Sequence, residues 1–153
     1  MCFQYLYIKK YKIEPPQITK TVNSMELSAL IKSQLKSGAG SVYMADYKYK
    51  LAPKSEYVRM IKHDKTDLLP YIEDFLDCDD SAVSLKGAFT IPKWSALPFG
   101  MLSVSYTTIT GKIISHRVNI FIDDEYLVWI VEPQRDTYWL PDDKDWIYHY
   151  ADF

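Results

Sequence analysis

Apolar residues recur at helical spacing through the first half of the chain. Asn23 has the chemistry of an N-cap, and the leucine and isoleucine residues after it recur three and four positions apart, which predicts a helix over residues 24–37. The same periodicity predicts shorter helices over residues 53–62 and 68–75. A fourth apolar series follows Cys78, so we expect this residue at or next to the N-terminus of a core-facing helix.

The apolar pattern changes to a period of two after the predicted Cys78 helix. Residues 100–106, 115–122 and 126–131 alternate in this way and are rich in β-branched and aromatic side chains, which predicts three strands. Residues 42–51 also alternate and predict an earlier extended segment. Because helices come first and strands afterwards, the predicted fold class is α+β, with N-terminal helices packed on a C-terminal antiparallel β-sheet.

The chain organisation predicts one domain over residues 1–153. This length fits a single core, and the sequence has no internal repeat and no break in composition. Hydrophobic residues make up 48% of the chain, and 13 tyrosines and four tryptophans make it unusually aromatic. Residues 1–20 are expected to form an arm or an edge strand, and residues 136–153 are expected to wrap the edge of the sheet.

The charge balance narrows the classes of partner. The net charge of −2 lacks the basic surplus that phosphate binding favours, so we expect no nucleic-acid partner. Lysine and tyrosine interleave at 47–50, which is compatible with a stacking platform for single strands or with a half-exposed strand, and the period of two favours the strand. No apolar run approaches the ~20 residues that cross a bilayer, so no membrane partner is expected.

The cysteine content indicates a reducing compartment. The chain has two cysteines, Cys2 and Cys78, which are too few for a disulfide scaffold. The N-terminal lysines follow the first apolar stretch, the reverse of a secretory signal peptide. We therefore expect a soluble protein that is cytoplasmic where it is synthesised.

Three separated residues form a candidate nucleophilic site. Cys78 is expected at a helix N-terminus, where the dipole favours the thiolate form. His116 and Glu132 lie on successive predicted strands, equally far from the predicted turn centre near residue 124, which makes them cross-strand neighbours. A carboxylate beside an imidazole can orient it toward a thiol, which is the arrangement that covalent catalysis requires.

Short motifs around these residues resemble those of known cysteine peptidases. The motifs are DCDDSA at 77–82, HRVN at 116–119 and EPQ at 132–134. They resemble the papain-like protease domain at the C-terminus of the Marasmius oreades agglutinin and its phage and bacterial relatives. They are also similar to the transglutaminase-like cysteine peptidases of bacteria. The resemblance covers about residues 70–140.

The resemblance implies a papain/transglutaminase-like fold and a cysteine hydrolase, in particular a peptidase that acts on a protein or peptide substrate. It assigns Cys78 as the thiol nucleophile that forms a thioester, His116 as the base and Glu132 as the orienting carboxylate. An amidase or a transamidase would share this triad and differ only in its substrate or acceptor. The phage relatives also imply a phage protein in the host cytoplasm or associated with the virion.

The acidic residues around Cys78 have two interpretations. The agglutinin domain is calcium-dependent, so the resemblance allows Asp77, Asp79 and Asp80 to supply oxygen ligands to calcium. The simpler interpretation is a solvated acidic first turn that stabilises its helix, and it is favoured. Zinc bound by Cys78 and His116 with His63 or His149 is a weaker alternative; these positions lack the usual ligand spacing. The sequence requires no other cofactor, because nucleotide-binding glycine motifs are absent.

A non-catalytic protein is the competing functional class. A chain with this fold and an aromatic surface would serve as a structural or interaction protein, for example in a phage particle. Thiol reactivity separates the two classes, because an active Cys78 alkylates quickly near neutral pH and a buried structural cysteine does not.

Overall fold

The computed structural model describes residues 13–35 and 40–153 and shows an α+β protein. Residues 1–12, which hold Cys2 and most of the predicted arm, lie outside the described residues. In chain order the elements are β1 (Lys20–Asn23), α1 (Ser24–Gln34), β2 (Ser41–Tyr43), β3 (Lys48–Leu51), α2 (Lys54–His63), a 3-10 turn (Thr66–Leu68), α3 (Cys78–Phe89), β4 (Phe99–Thr107), β5 (Ile113–Ile122), β6 (Val128–Glu132), β7 (Thr137–Trp139), a second 3-10 turn (Pro141–Asp143) and β8 (Ile147–Asp152).

The helix starts follow from their capping residues. The Asn23 side chain accepts a hydrogen bond from the Glu26 backbone N–H at 2.9 Å, which confirms the predicted start of α1. The start of α3 is a reciprocal capping box, in which Asp77 accepts from the Asp79 N–H and Asp80 accepts from the Asp77 N–H. Cys78 is therefore the first residue of a helix, as its position in the sequence predicts.

The predicted helix over residues 68–75 is absent. The chain forms only the 3-10 turn Thr66–Leu68 there and then a tight turn around Asp74, whose φ is 63°. Pro70 explains the difference, because its ring disfavours helical geometry in the residue before it and removes a backbone donor. The apolar side chains that suggested a helix stay exposed, with Phe75 83% accessible.

The main sheet has six strands in the order β2-β8-β4-β5-β6-β7. Strands β4 to β7 pair antiparallel, but β2 runs parallel to β8, so the sheet is mixed and the expectation of a purely C-terminal antiparallel sheet is corrected. The tail does not wrap the edge, because β8 lies between β2 and β4. The predicted segment 42–51 divides into β2 and β3, and β3 pairs with β1 in a separate two-stranded sheet.

Helices cover both faces of the six-stranded sheet. On one face α1 contributes Leu27 and Ile31, which are fully buried in a cluster with strand residues such as Ile120. On the other face α2 and α3 pack on Phe99, Phe121 and Val131. Each large apolar side chain buried in this way contributes roughly 1.5–3 kcal/mol. Within residues 13–35 and 40–153, none of the helices has the length and apolarity to span a bilayer.

Candidate functional site

Strands β5 and β6 bring His116 and Glu132 together. The paired residues Asn119–Val131 and Ile120–Ile130 set a register that places Glu132 diagonally from His116 on the same sheet face. The His116 Nε2 lies 2.7 Å from the Glu132 Oε2, and both side chains are 15% exposed. The two residues therefore form a half-buried hydrogen-bonded pair.

The predicted directly opposed pairing of His116 and Glu132 is corrected to this diagonal one. The turn between their strands is centred one residue later than expected. Asp123 causes the shift, because its Oδ1 accepts hydrogen bonds from the backbone N–H groups of Glu125 and Leu127.

Aromatic rings surround the His116–Glu132 pair. The Trp146 ring stacks on Tyr106 with centroids 5.2 Å apart and meets the His116 ring edge-on at 6.0 Å. Trp139 lies at 83° to Trp146, with centroids 5.3 Å apart. Tyr106, His116 and Trp146 are half-buried, so part of this cluster faces solvent. We call Tyr106, His116, Glu132, Trp139 and Trp146 the aromatic cluster.

Lys144 lies over the aromatic cluster. Its Nζ is 3.4 Å from the ring centroid of Trp139 and 4.5 Å from that of Trp146, within the range of cation–π attraction. Burial against the rings lowers the pKa of Lys144, and the Glu132 carboxylate opposes this effect. The ammonium is thus partly desolvated by the rings and attracted by a neighbouring carboxylate.

A cavity of about 340 Å³ adjoins the aromatic cluster. Its lining includes Trp146, Lys144 and the carboxylates Asp142 and Asp145. This volume falls within the range of small-ligand pockets, which combine apolar walls with a few polar groups. The arrangement suits a small ligand that has an apolar face and polar edges.

Cys78 is half-buried at the start of α3, in surroundings that raise the pKa of its thiol. Burial raises the pKa of the Cys78 thiol, as do the negative charges of Asp77 and Asp79, while a hydrogen bond from the Arg117 backbone opposes the shift. Desolvation and the nearby carboxylates therefore oppose the helix dipole, which favours a thiolate. These two effects favour the protonated form of the thiol.

His116 is not hydrogen-bonded to the Cys78 thiol in the part of the chain that the structure describes. Its Nε2 contacts Glu132, and its ring packs against Tyr106 and Trp146. Alternation along β5 places His116 on the face opposite α3, since Asn119 on the α3 face donates a hydrogen bond to the Ala82 carbonyl. The structure joins His116 with Glu132 and does not connect this pair to the thiol by a hydrogen bond.

Comparison with known proteins identifies the fold. No protein-family model matches the sequence, and no curated protein matches it. Solved structures do match it, among them the following two. One, described as a PSL1a–E64 complex, has a TM-score of 0.70 and 21% identity over 87% of this chain and 51% of the other. The second is the Polyporus squamosus lectin bound to the human-type influenza-binding epitope Neu5Acα2-6Galβ1-4GlcNAc, with a TM-score of 0.68 and 21% identity over 87% of this chain and 49% of the other.

The chain shares its fold with lectin structures. At 21% identity this likeness shows the fold alone, and the chain spans about half the length of the proteins it matches. The expected membership of the papain-like and transglutaminase-like cysteine peptidases is corrected by this finding. The cysteine hydrolase function and the peptide substrate inferred from that membership are corrected with it.

The predicted metal ligands are only partly brought together. Among the described residues, the close group of metal-ligating side chains is Asp77, Cys78 and Asp79. Calcium prefers six to eight oxygen ligands, whereas this group offers two carboxylates and a sulfur, and Asp77 and Asp80 are already engaged in the helix cap. The calcium site stays a prediction, with a donor set that is short of oxygen.

The alternative zinc set is not assembled. His149 lies 2.7 Å from the Ser105 hydroxyl through its Nε2, and neither His149 nor His63 joins the described group around Cys78. Tetrahedral zinc needs at least three protein ligands in contact with one ion. The described residues therefore do not provide this site.

Several residues of the aromatic cluster are not found by motif reasoning. Trp139 and Trp146 lie in the C-terminal segment, 30 to 40 residues beyond Tyr106 in the sequence, and β7 and β8 position them. The sequence does offer one signal for these residues, which is the composition of the segment. It combines two tryptophans with the charged run DDKD at 142–145. The strand pairing that gathers the rings is not visible in the local pattern.

Proposed function

We propose that this chain is a non-catalytic carbohydrate-binding domain that takes its ligand at the aromatic cluster. The observation that carries the proposal is the group of Tyr106, Trp139 and Trp146 around the hydrogen-bonded His116–Glu132 pair. The fold shared with a lectin solved in complex with a sialylated trisaccharide supports the same class. A glycan partner replaces the peptide substrate that the sequence suggests.

Saccharide chemistry fits this cluster. The C–H groups on one face of a pyranose ring carry partial positive charge, so they are attracted to the negative face of an indole or phenol ring. The hydroxyl groups at the sugar edge need hydrogen-bond partners, which the Glu132 carboxylate and the His116 imidazole offer. The adjoining cavity of about 340 Å³ has room for a sugar residue.

The three residues of the predicted triad then have separate roles. His116 and Glu132 are polar contacts for the ligand. Cys78 is a structural thiol, held half-buried at the start of α3 beside Arg117. The predicted cytoplasmic or virion-associated location is compatible with this function and stays a prediction.

The proposal is tested by titrating the protein with a panel of neutral and charged oligosaccharides, with binding followed by calorimetry. Removing the stacking ring in Trp146→Ala should weaken binding by about tenfold or more, because an aromatic stacking contact contributes on the order of 1 kcal/mol beyond its buried area. Ile109→Ala is the control, since Ile109 is fully exposed and lies outside the cluster. Glycan affinities that are the same in wild type and Trp146→Ala would contradict the assignment of the site.

A further inference from the structure

Trp139 and Trp146 form two walls of a right-angled aromatic cage. Their rings meet at 83°, and one ammonium group, the Nζ of Lys144, contacts both rings at 3.4 and 4.5 Å. A cation held by two perpendicular indoles is the arrangement that proteins use to recognise ammonium groups. In this structure the protein's own side chain occupies the place of such a ligand.

The charges next to the cage favour a cation. The Glu132 carboxylate interacts with the Lys144 ammonium, and Asp142 and Asp145 line the adjoining cavity. An anionic ligand, by contrast, would meet three carboxylates at this position. The site is therefore electrostatically suited to a positively charged group.

Trp139 also carries an unsatisfied donor. The Nε1–H of Trp139 is buried and has no hydrogen-bond partner among the described residues. Leaving a buried donor unpaired costs free energy, and a ligand oxygen that reached it would remove this cost. A ligand with hydroxyl oxygens as well as an ammonium group would offer this donor a partner.

We propose that the ligand of the aromatic cluster is a saccharide that carries a protonated amino group, such as a glucosamine oligomer. Its ammonium group takes the place of Lys144 between Trp139 and Trp146, and its hydroxyl groups reach the polar atoms of the cluster. Lys144 is exposed and follows the 3-10 turn Pro141–Asp143, so its side chain can leave the cage into solvent. This inference rests on the proposed carbohydrate-binding function and specifies its ligand.

A second lysine–aromatic contact in the protein provides a matched control. The Nζ of Lys54 lies 3.3 Å from the centroid of Trp129 and 4.5 Å from that of Tyr138, and these two rings meet at 82°. Trp129 and Tyr138 pack against the apolar core on the opposite face of the sheet, away from the aromatic cluster. Its indole is also satisfied, because the Trp129 Nε1–H donates to Asp123 at 2.7 Å. Lys54→Ala thus removes the same charge from a similar contact outside the proposed site.

The test compares two oligosaccharides with the same backbone in weakly acidic buffer. A glucosamine tetramer carries protonated amines, and an N-acetylglucosamine tetramer carries neutral amides in their place. Calorimetry with the wild-type protein should show about fivefold tighter binding of the glucosamine tetramer. In Lys144→Ala, which empties the cage, the affinity for that tetramer should rise by a further factor of about five, whereas Lys54→Ala should change neither affinity.

The outcomes separate the inference from the proposed function. Equal binding of the two tetramers, or no gain of glucosamine affinity in Lys144→Ala, overturns the inference and leaves carbohydrate binding in place. Equal gains in Lys144→Ala and Lys54→Ala also overturn it, since the effect would then come from net charge alone. If neither tetramer nor any other oligosaccharide of the panel binds, the inference and the proposed function both fail.

Discussion

The folded protein holds Asp136 in an environment that disfavours its charged form. It lies in the turn between β6 and β7 with a φ of 51°, in the left-handed region that aspartate and asparagine tolerate. Burial, followed by the charges of Asp67 and Asp64, raises the pKa of Asp136 to about 6. The folded protein therefore binds this proton more tightly than the unfolded chain does. The resulting stabilisation is present below about pH 4 and is lost as the pH rises through about 6.

The variant Asp136→Asn should be more stable than the wild type at neutral pH. Removing the ionisable group should raise the free energy of unfolding by about 1 kcal/mol at about pH 7, a figure reduced for the partial exposure of the side chain. The gain should shrink toward about pH 4, where the carboxyl group is protonated in the folded protein. Urea unfolding at both pH values measures this difference.

Asp74→Asn is the matched control for that experiment. Asp74 also has a positive φ, of 63°, but it is exposed. Asparagine is accommodated at both positions, so any benefit that comes from backbone conformation alone should appear in both variants. A stabilisation that is equal in the two variants and independent of pH would contradict the electrostatic explanation.

Cys78 shows which residue properties the sequence predicts and which it does not. Its place at the start of a helix follows from the local pattern of Asp77, Asp80 and the apolar residues after them. The burial that raises its thiol pKa depends on packing beside Arg117 on β5, about 40 residues away. A helix position is a local property, whereas desolvation depends on the assembled fold.

At the scale of elements, the contact between β4 and β8 depends on one glycine. A Cβ at Gly100 would overlap the Asp152 carbonyl and lie 2.8 Å from the Phe153 ring. β8 is an interior strand, so a displacement here disturbs its pairing with both β2 and β4. Gly87 in α3 is the opposite case, because a Cβ there meets no atom within 4 Å.

Alanine should change the free energy of unfolding in opposite directions at these two glycines. Gly100→Ala should lower the free energy of unfolding by about 2–3 kcal/mol or more, since the overlap forces backbone movement. Gly87→Ala should raise it by about 0.5–1 kcal/mol, because alanine restricts the unfolded chain and favours the helix. Chemical denaturation of both variants measures these changes. A Gly100→Ala variant as stable as the wild type would contradict the described β4–β8 contact, and destabilisation by Gly87→Ala would contradict the open space around Gly87.

Elements with strong local signals are predicted from the sequence, and elements defined by distant pairing are not. α1 and the β5–β6 hairpin follow from periodicity, capping and turn residues. β8 is missed because its partners, β2 and β4, lie about 45 to 110 residues earlier in the chain. The false helix over 68–75 arises because an apolar surface segment has the same composition as a core-facing one.

At the scale of the whole molecule, the sheet separates two chemical environments. The aromatic cluster lies with α1 on one face, where Trp146 packs against the buried core residues. α3, which begins at Cys78, packs on the other face against Phe99 and Phe121. His116 and Glu132 lie close together, although diagonally rather than directly opposed, but a common function with the thiol cannot be derived from their order in the sequence. It depends on where the assembled fold places each group.

The alkylation rate of Cys78 tests the non-catalytic account most directly. In a Cys2→Ser background, the protein is treated with E-64 or iodoacetamide across a pH series, with His116→Ala as the comparison. Because the thiol pKa is raised and His116 is bound to Glu132, labelling near neutral pH should be no faster than that of a free cysteine and should not depend on His116. Rapid, stoichiometric labelling at neutral pH that is lost in His116→Ala would reveal a histidine-activated thiolate and contradict this account.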